Sequence, residues 1–170
     1  MTEVKKGYGG KSMISYEVCP IGKIINNEKG TFIELEKKYI PGLIGMEGFS
    51  HINVIWWLSD FDKKEFRSIM ENIKPYKSSP EVMGTFATRS PIRPNPIALT
   101  TAEVININYE EGVIEIAFID ANNNTPVLDI KPYTASLDRV ESPKVPEWCS
   151  HWPKSIEESE TFPWENEFNF

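Results

Sequence analysis

The chain has 170 residues, enough for one domain with a sizeable core. Hydrophobic residues make up 40% and aromatic residues 12%, which excludes an intrinsically disordered chain. A net charge of −7 and an isoelectric point of about 5.0 argue against a broad basic face for nucleic acid, while leaving a local basic patch open.

Residues 1–12 are polar, rich in Gly and Lys, and read as a flexible leader without a signal-peptide core. No apolar run reaches the length of a membrane span, so a cytoplasmic protein with no membrane partner is expected. Residues 14–25, rich in Ile, Val and Tyr, predict a first strand, and 26–30 a turn. A short strand follows over 31–35. Pro41-Gly42 and the glycines at 45 and 48 break the chain. Residues 51–58 form a continuous apolar run with Trp56 and Trp57, suited to a buried central strand. Asp62 and Glu65 have capping-box spacing, and Phe66, Ile69, Met70 and Ile73 recur at helical spacing. Together they predict a short amphipathic helix over 63–73.

Strands are then expected over 82–87 and 97–107. A hairpin turn over 109–112 leads into a strand over 113–119, with Ile114, Ile116 and Phe118 on one face. Asn122-Asn123-Asn124 is a turn, and 127–130 a last strand. From 134 onward four prolines forbid long elements, and aromatic residues are spaced through acidic sequence. That segment reads as an arm pinned by aromatic anchors, on its own barrel or on a partner subunit. The pattern predicts a mainly β protein: a single-domain antiparallel β-barrel over 13–133 with one short helix, and an irregular aromatic C-terminal arm over 134–170. Cys19 and Cys149 have no paired-ligand spacing, so two free thiols and no metal are expected.

The stretch around which the chain is organised runs from Gly84 to Thr100. Its prolines at 91, 94 and 96 fix φ, remove backbone donors and push Ser90, Arg93 and Asn95 towards extended conformations. A rigid segment of this kind can hold Arg89, Arg93 and Asn95 in fixed directions. The guanidinium fork suits carboxylate or phosphate, and rigidity lowers the ordering cost of binding an anion. A proline-stiffened surface turn with solvated arginines is the plainer alternative.

The order Thr88-Arg89-Ser90-Pro91-Ile92-Arg93-Pro94-Asn95-Pro96-Ile97 resembles the signature of the TsaA/TrmO family of S-adenosylmethionine-dependent tRNA methyltransferases, which have a β-barrel fold. Three more segments resemble that family in the same order: Glu47-Gly48-Phe49-Ser50-His51, Phe118-Ile119-Asp120 with Thr125-Pro126, and Val127-Leu128-Asp129-Ile130-Lys131-Pro132-Tyr133. The resemblance covers about residues 21–133. His51 alone reads as a structural histidine at a strand start. Asp129 and Lys131 lie two apart on one strand and point the same way, which alone suggests a surface ion pair.

The resemblance implies S-adenosylmethionine as cofactor. It places cofactor contacts at Ser59, Asp60, Arg89 and Leu99, and along Phe118, Ile119 and Asp120. Arg89 can take the carboxylate, and Asp60 or Asp120 can accept from ribose or ammonium. Trp56 or Trp57 could face the sulfonium, although core packing suits them better. Arg93, Asn95 and Lys131 are assigned to substrate. Asp129 and Tyr133 border the implied active-site mouth and are the candidates for a base. In-line methyl transfer needs alignment and exclusion of water, and neither a metal nor a covalent nucleophile.

The family's acceptor is N6-threonylcarbamoyladenosine beside the tRNA anticodon, which makes tRNA the implied partner. Its Pro-Arg-Gln-Pro-Gly-like loop after the first strand is replaced here by 26–30. Its Arg- and Pro-rich insertion is replaced by 63–80, and its His-Gln pair by Ser59-Asp60. These departures and the acidic balance also suit a smaller acceptor, or a module that binds nucleotide without turnover. Family members are dimers, and seven aromatics between Tyr133 and Phe170 are more than an exposed tail should carry. A homodimer is therefore expected.

Overall fold

The computed structural model describes residues 15–169 in full, and residues 4–6 and 12–14 as strand backbone. Strands β1 (Val4–Lys6) and β2 (Ser12–Ile14) pair antiparallel, with Val4 opposite Ile14. The described part of the expected leader is thus strand, and the rest of 1–12 lies outside the described residues.

Six strands close the barrel: β3 (Gly22–Asn27), β4 (Gly30–Leu35), β5 (His51–Trp57), β8 (Ile97–Asn108), β9 (Val113–Ile116) and β10 (Pro126–Pro132). Around the barrel the order is β10-β3-β4-β9-β8-β5. Closure leaves no strand edge unpaired. Alternation places Ile24, Ile33, Ile52, Val54, Ile114 and Val127 inside, all fully buried. Gly22 is obligatory where β3 crosses β4, because a Cβ there would run into the Glu34 carbonyl. Gly112 turns the β8–β9 hairpin at φ +69°, a conformation that favours glycine.

The first strand begins later than the apolar composition of 14–25 predicts. Residues 15–20 are exposed, Pro20 offers no donor, and the ladder starts where Ile21 N–H reaches the Val127 carbonyl at 2.8 Å. The strand expected to reach residue 119 stops at Ile116. The β8–β9 register shifts between Val104 and Asn106, and Ala117 N–H bonds the Glu103 carbonyl at 3.0 Å. Beyond it the parity inverts. Ile119 is 3% exposed, whereas Phe118, expected on the inner face, is 68% exposed.

The chain forms two compact units. The barrel strands occupy the first, made of residues 1–57 and 98–133. The second joins residues 58–97 to the C-terminal segment 134–170. The stretch 58–97, which the sequence assigns to the barrel domain, thus clusters with the arm. This second unit carries the strands β6 (Glu71–Ile73) and β7 (Val82–Gly84), paired antiparallel. Helices α1 (Lys64–Arg67), α2 (Ala135–Asp138) and α3 (Ile156–Glu160) complete it with short 3-10 turns.

The helix expected over 63–73 is only α1. Asp62 does not cap it and instead pairs with Arg67 Nε at 2.6 Å. Thr85 then captures the carbonyls that a longer helix would need, its N–H bonding the Met70 carbonyl and its hydroxyl the Ile69 carbonyl. Residues 71–73 pair as a strand in consequence.

The arm's aromatics pack within this unit. Tyr76 is stacked on Trp148 at 5.3 Å between centroids, and takes Trp152 edge-on at 5.0 Å and Phe168 at 5.8 Å. Trp164 joins Trp152 and Phe162, at 5.3 and 4.8 Å. Among the described residues, no helix is long and apolar enough to cross a membrane.

Candidate functional site

In the second unit the signature loop is irregular, as its prolines require, and is braced from inside. The Thr88 hydroxyl donates to the Thr85 carbonyl at 2.9 Å and accepts from Ser90 N–H at 3.2 Å. Ser90 Oγ accepts from Ile92 N–H at 3.2 Å. Arg93 donates from Nε to the Ser90 carbonyl and from Nη2 to the Thr88 carbonyl, both at 2.8 Å. Hydrogen bonds from a charged donor are worth about 1.5–3 kcal/mol each. Arg93, assigned by sequence to substrate, is therefore an internal strut of the loop. Arg67, which the sequence reading missed, adds a second brace by donating from Nη1 to the Pro94 carbonyl at 3.0 Å. Spacing gives no sign of this pairing, since the residues lie 27 apart. Arg89 and Asn95 stay exposed on this frame, as do Ser59 and Asp60 in a 3-10 turn. Burial pushes the Tyr76 phenol above its usual acidity range, and Arg89 acts in the opposite sense.

In the barrel unit, the candidates on β5, β8 and β10 share the outer face. Inside, Trp56 is 6% exposed and donates to Thr100 Oγ1 at 3.0 Å, so it is a core residue. Outside, Asn53 lies opposite Lys131, and Ile55 opposite Asp129. Asn53 accepts from the Thr101 hydroxyl at 2.7 Å. Leu99, two residues from Thr101 on the same strand, shares that face and is 50% exposed.

Asp129 engages both oxygens, one with Ile130 N–H at 2.9 Å and one with Lys131 Nζ at 2.6 Å. The hydrogen bond to Asp129 raises the Lys131 ammonium above its usual 10.5, with their charge attraction adding to it. Tyr133 N–H donates to the His51 carbonyl at 3.0 Å, and the two rings meet edge-on at 6.2 Å. His51 Nδ1 lies 2.9 Å from Ser50 Oγ, in keeping with a structural histidine. Phe118 and Asp120 are exposed, whereas the Ile119 side chain is in the core, so only its main chain can face a ligand.

Both cysteines are free, Cys19 exposed and Cys149 buried. Among the described residues, no group of His, Cys, Asp and Glu could hold a metal ion.

With this geometry in view, comparison with known proteins is decisive. Residues 13–139 match the tRNA-methyltransferase O N-terminal domain. The chain belongs to that family. A Methanocaldococcus jannaschii protein named "Probable S-adenosyl-L-methionine-binding protein" is 36% identical over 123 residues, spanning 72% of this chain and 96% of its own. Human tRNA (adenine(37)-N6)-methyltransferase is 36% identical over 125 residues, spanning 70% of this chain but 27% of the human enzyme. The crystal structure of TrmO from Pseudomonas aeruginosa superposes with a TM-score of 0.58 at 25% identity, over 76% of this chain and 61% of that one. The chain thus spans nearly the whole of the archaeal relative and under two thirds of the other two. All four sequence segments quoted above lie inside the matched region of the tRNA-methyltransferase O domain.

Proposed function

We propose that this chain is an S-adenosylmethionine-dependent methyltransferase acting on N6-threonylcarbamoyladenosine beside the tRNA anticodon. The observation that carries the proposal is the signature loop. Arg93, Thr88 and Ser90 brace it from inside, and the exposed Arg89 lies on the braced segment. Such a frame presents one guanidinium at low ordering cost, which suits the cofactor's carboxylate.

The residue types to which the family resemblance points suit the rest of that molecule. Exposed Phe118 and Leu99 offer apolar surface to the adenine, and Asp120, Asp60 and Ser59 offer acceptors for ribose hydroxyls or ammonium. The cofactor supplies an activated methyl group. On the acceptor side, Asn95 and Lys131 are the polar groups for binding, and Asp129 and Tyr133 remain the base candidates. Asp129 has each oxygen engaged by one donor and keeps further lone pairs for a proton, although the Lys131 ammonium at 2.6 Å lowers its basicity.

A smaller acceptor is the second reading, and the net charge of −7 favours it. The deciding experiment is methyl transfer from labelled S-adenosylmethionine to total tRNA and, in parallel, to a small-metabolite extract. Label in tRNA supports the first reading. Label in the extract alone replaces it with the second, and label in neither removes both.

A tRNA acceptor implies action in the cytoplasm. A homodimer also belongs to this proposal, on a different ground from the aromatic tail, whose rings pack on Tyr76 within one chain. Its support is the prevalence of closed two-fold symmetry among soluble oligomers. Light scattering decides it, and a monomeric mass at micromolar concentration would remove the dimer.

A further inference from the structure

Strand β3 pairs with β10 only at Gly22 and Lys23. Beyond Lys23 that edge of β3 is covered by residues 121–125, the loop that follows the candidate cofactor segment 118–120. Ile24 N–H bonds the Thr125 carbonyl at 2.8 Å, and Asn124 N–H bonds the Ile24 carbonyl at 2.7 Å. Asn124 takes a φ of +66° in this loop, which asparagine tolerates better than most residues. Asn26 then continues the edge with its side chain as well as its backbone. Its N–H bonds Asn123 Oδ1 at 3.0 Å, and its Nδ2 donates to the Ala121 carbonyl at 2.7 Å. The partners lie more than ninety residues apart in sequence, and all of them belong to the barrel unit.

The other end of the same amide is unusual. Asn26 Oδ1 is buried and has no hydrogen-bond partner. Burying an unpaired amide oxygen is costly, and leucine would fill the same volume without that cost. What asparagine supplies and leucine cannot is the NH2 group, and that group goes to Ala121. Ala121 is the neighbour of Asp120. On the other side of Asp120, the Ile119 side chain is buried in the core. The exposed Asp120 therefore stands between two fixed residues, one held by packing and the other by Asn26.

We propose that Asn26 is a positioning residue for Asp120, holding its carboxylate where it accepts from the ribose hydroxyls or the ammonium of S-adenosylmethionine. This rests on the reading of Asp120 as a cofactor contact. It extends the site to β3, a strand that carries none of the candidate residues named above.

The test uses the full chain and the variants Asn26→Leu, Asp120→Ala and their combination. Asn123→Ala removes the second tie from an exposed position, and so loosens the loop without touching the core. The control is Asn108→Ala in the β8–β9 turn, where Asn108 Oδ1 accepts from the Glu110 and Glu111 N–H groups at 3.1 Å. Two quantities are read: hydrogen exchange at the Asn124 and Thr125 amides by NMR, and S-adenosylmethionine affinity by calorimetry. Both amides are bonded in the closed loop, Thr125 N–H to the Asn122 carbonyl at 3.1 Å. Asn26→Leu should speed their exchange and weaken affinity, each by roughly 3- to 10-fold, the range for one hydrogen bond. Asn123→Ala should move both quantities in the same direction, and Asn108→Ala should move neither. A purely structural role would add its effect to that of Asp120→Ala. The positioning role predicts no further loss of affinity when Asn26→Leu is placed in the Asp120→Ala background. Unchanged exchange in Asn26→Leu, or in Asn123→Ala should Asn26→Leu not fold, overturns the inference whether or not the cofactor binds. Additive losses of affinity overturn it too, as does full affinity in Asp120→Ala. A wild-type chain that binds no S-adenosylmethionine overturns the cofactor reading instead, and with it the role of Asn26 in affinity.

Discussion

In the barrel, backbone groups bond the backbone of the next strand; in residues 85–96 side chains partner several of them, accepting from two N–H groups and donating to carbonyls. Thr88, Ser90, Arg67 and Arg93 do locally what a ladder does elsewhere. The cores differ in the same way. Branched aliphatic side chains fill the barrel at almost no exposure, while rings set edge-to-face around Tyr76 hold the second unit. A ladder tolerates exchange of most exposed side chains, because their backbones carry the bonds. An irregular loop fixed by side chains fails one residue at a time, but it can present a chosen group such as Arg89 in a fixed direction.

Substitutions at four positions and one titration sharpen that contrast, taken from the largest effect down. Ile114→Ala should cost about 4 kcal/mol, the range for emptying a fully buried aliphatic site, and urea unfolding measures it. Trp152→Ala should cost about 3 kcal/mol, since the ring is half-buried but loses contacts with Tyr76, Trp148 and Trp164 and its bond to Glu167. A loss well below 1 kcal/mol would mean that the rings do not hold the second unit. Arg89→Ala should weaken S-adenosylmethionine binding by about 1.5–3 kcal/mol, read by calorimetry on the folded variant. Arg93→Ala should lower stability by about 1.5 kcal/mol, less than the sum for its two bonds because water replaces part of them in this half-exposed loop. Arg93→Lys should not restore it, because an ammonium cannot reproduce the fork.

The smallest effect is a titration. The hydrogen bond from Trp152, and then that from His151, hold the Glu167 carboxyl below its usual 4.5. A depressed carboxyl adds stability above its unfolded pKa and loses it as pH falls through the folded one. Thermal unfolding should therefore show stability falling below about pH 4.5, and Glu167→Gln should flatten that fall. An identical acid profile in the variant would show that Glu167 carries no linked proton.

How much of this was legible in the sequence follows the same division. The barrel could be read because its signals are local: the continuous apolar run over 51–58, or the alternation of Ile114 and Ile116, announces a strand by itself. The end of β9 could not, because a register shift on its neighbour sets it, and so Phe118 was placed on the face of Ile114 and Ile116. Phe66, Ile69, Met70 and Ile73 have helical spacing, yet Thr85 takes the carbonyls of residues 69 and 70 and decides otherwise. In the signature loop the prolines announced rigidity and the order of residues announced the family. The division of labour between Arg89 and Arg93 stayed hidden. It depends on where the carbonyls of Thr88 and Ser90 point, and no residue type records that. Tyr76 carried no signal either, since its partners Trp148, Trp152 and Phe168 lie more than seventy residues away in sequence.

The most direct test of the account is a calorimetric titration of S-adenosylmethionine into the full-length chain, run beside Arg89→Ala. The account predicts saturable binding at one site per chain, clearly weakened in the folded variant. No heat of binding to the wild type, or equal affinity in the variant, would contradict it.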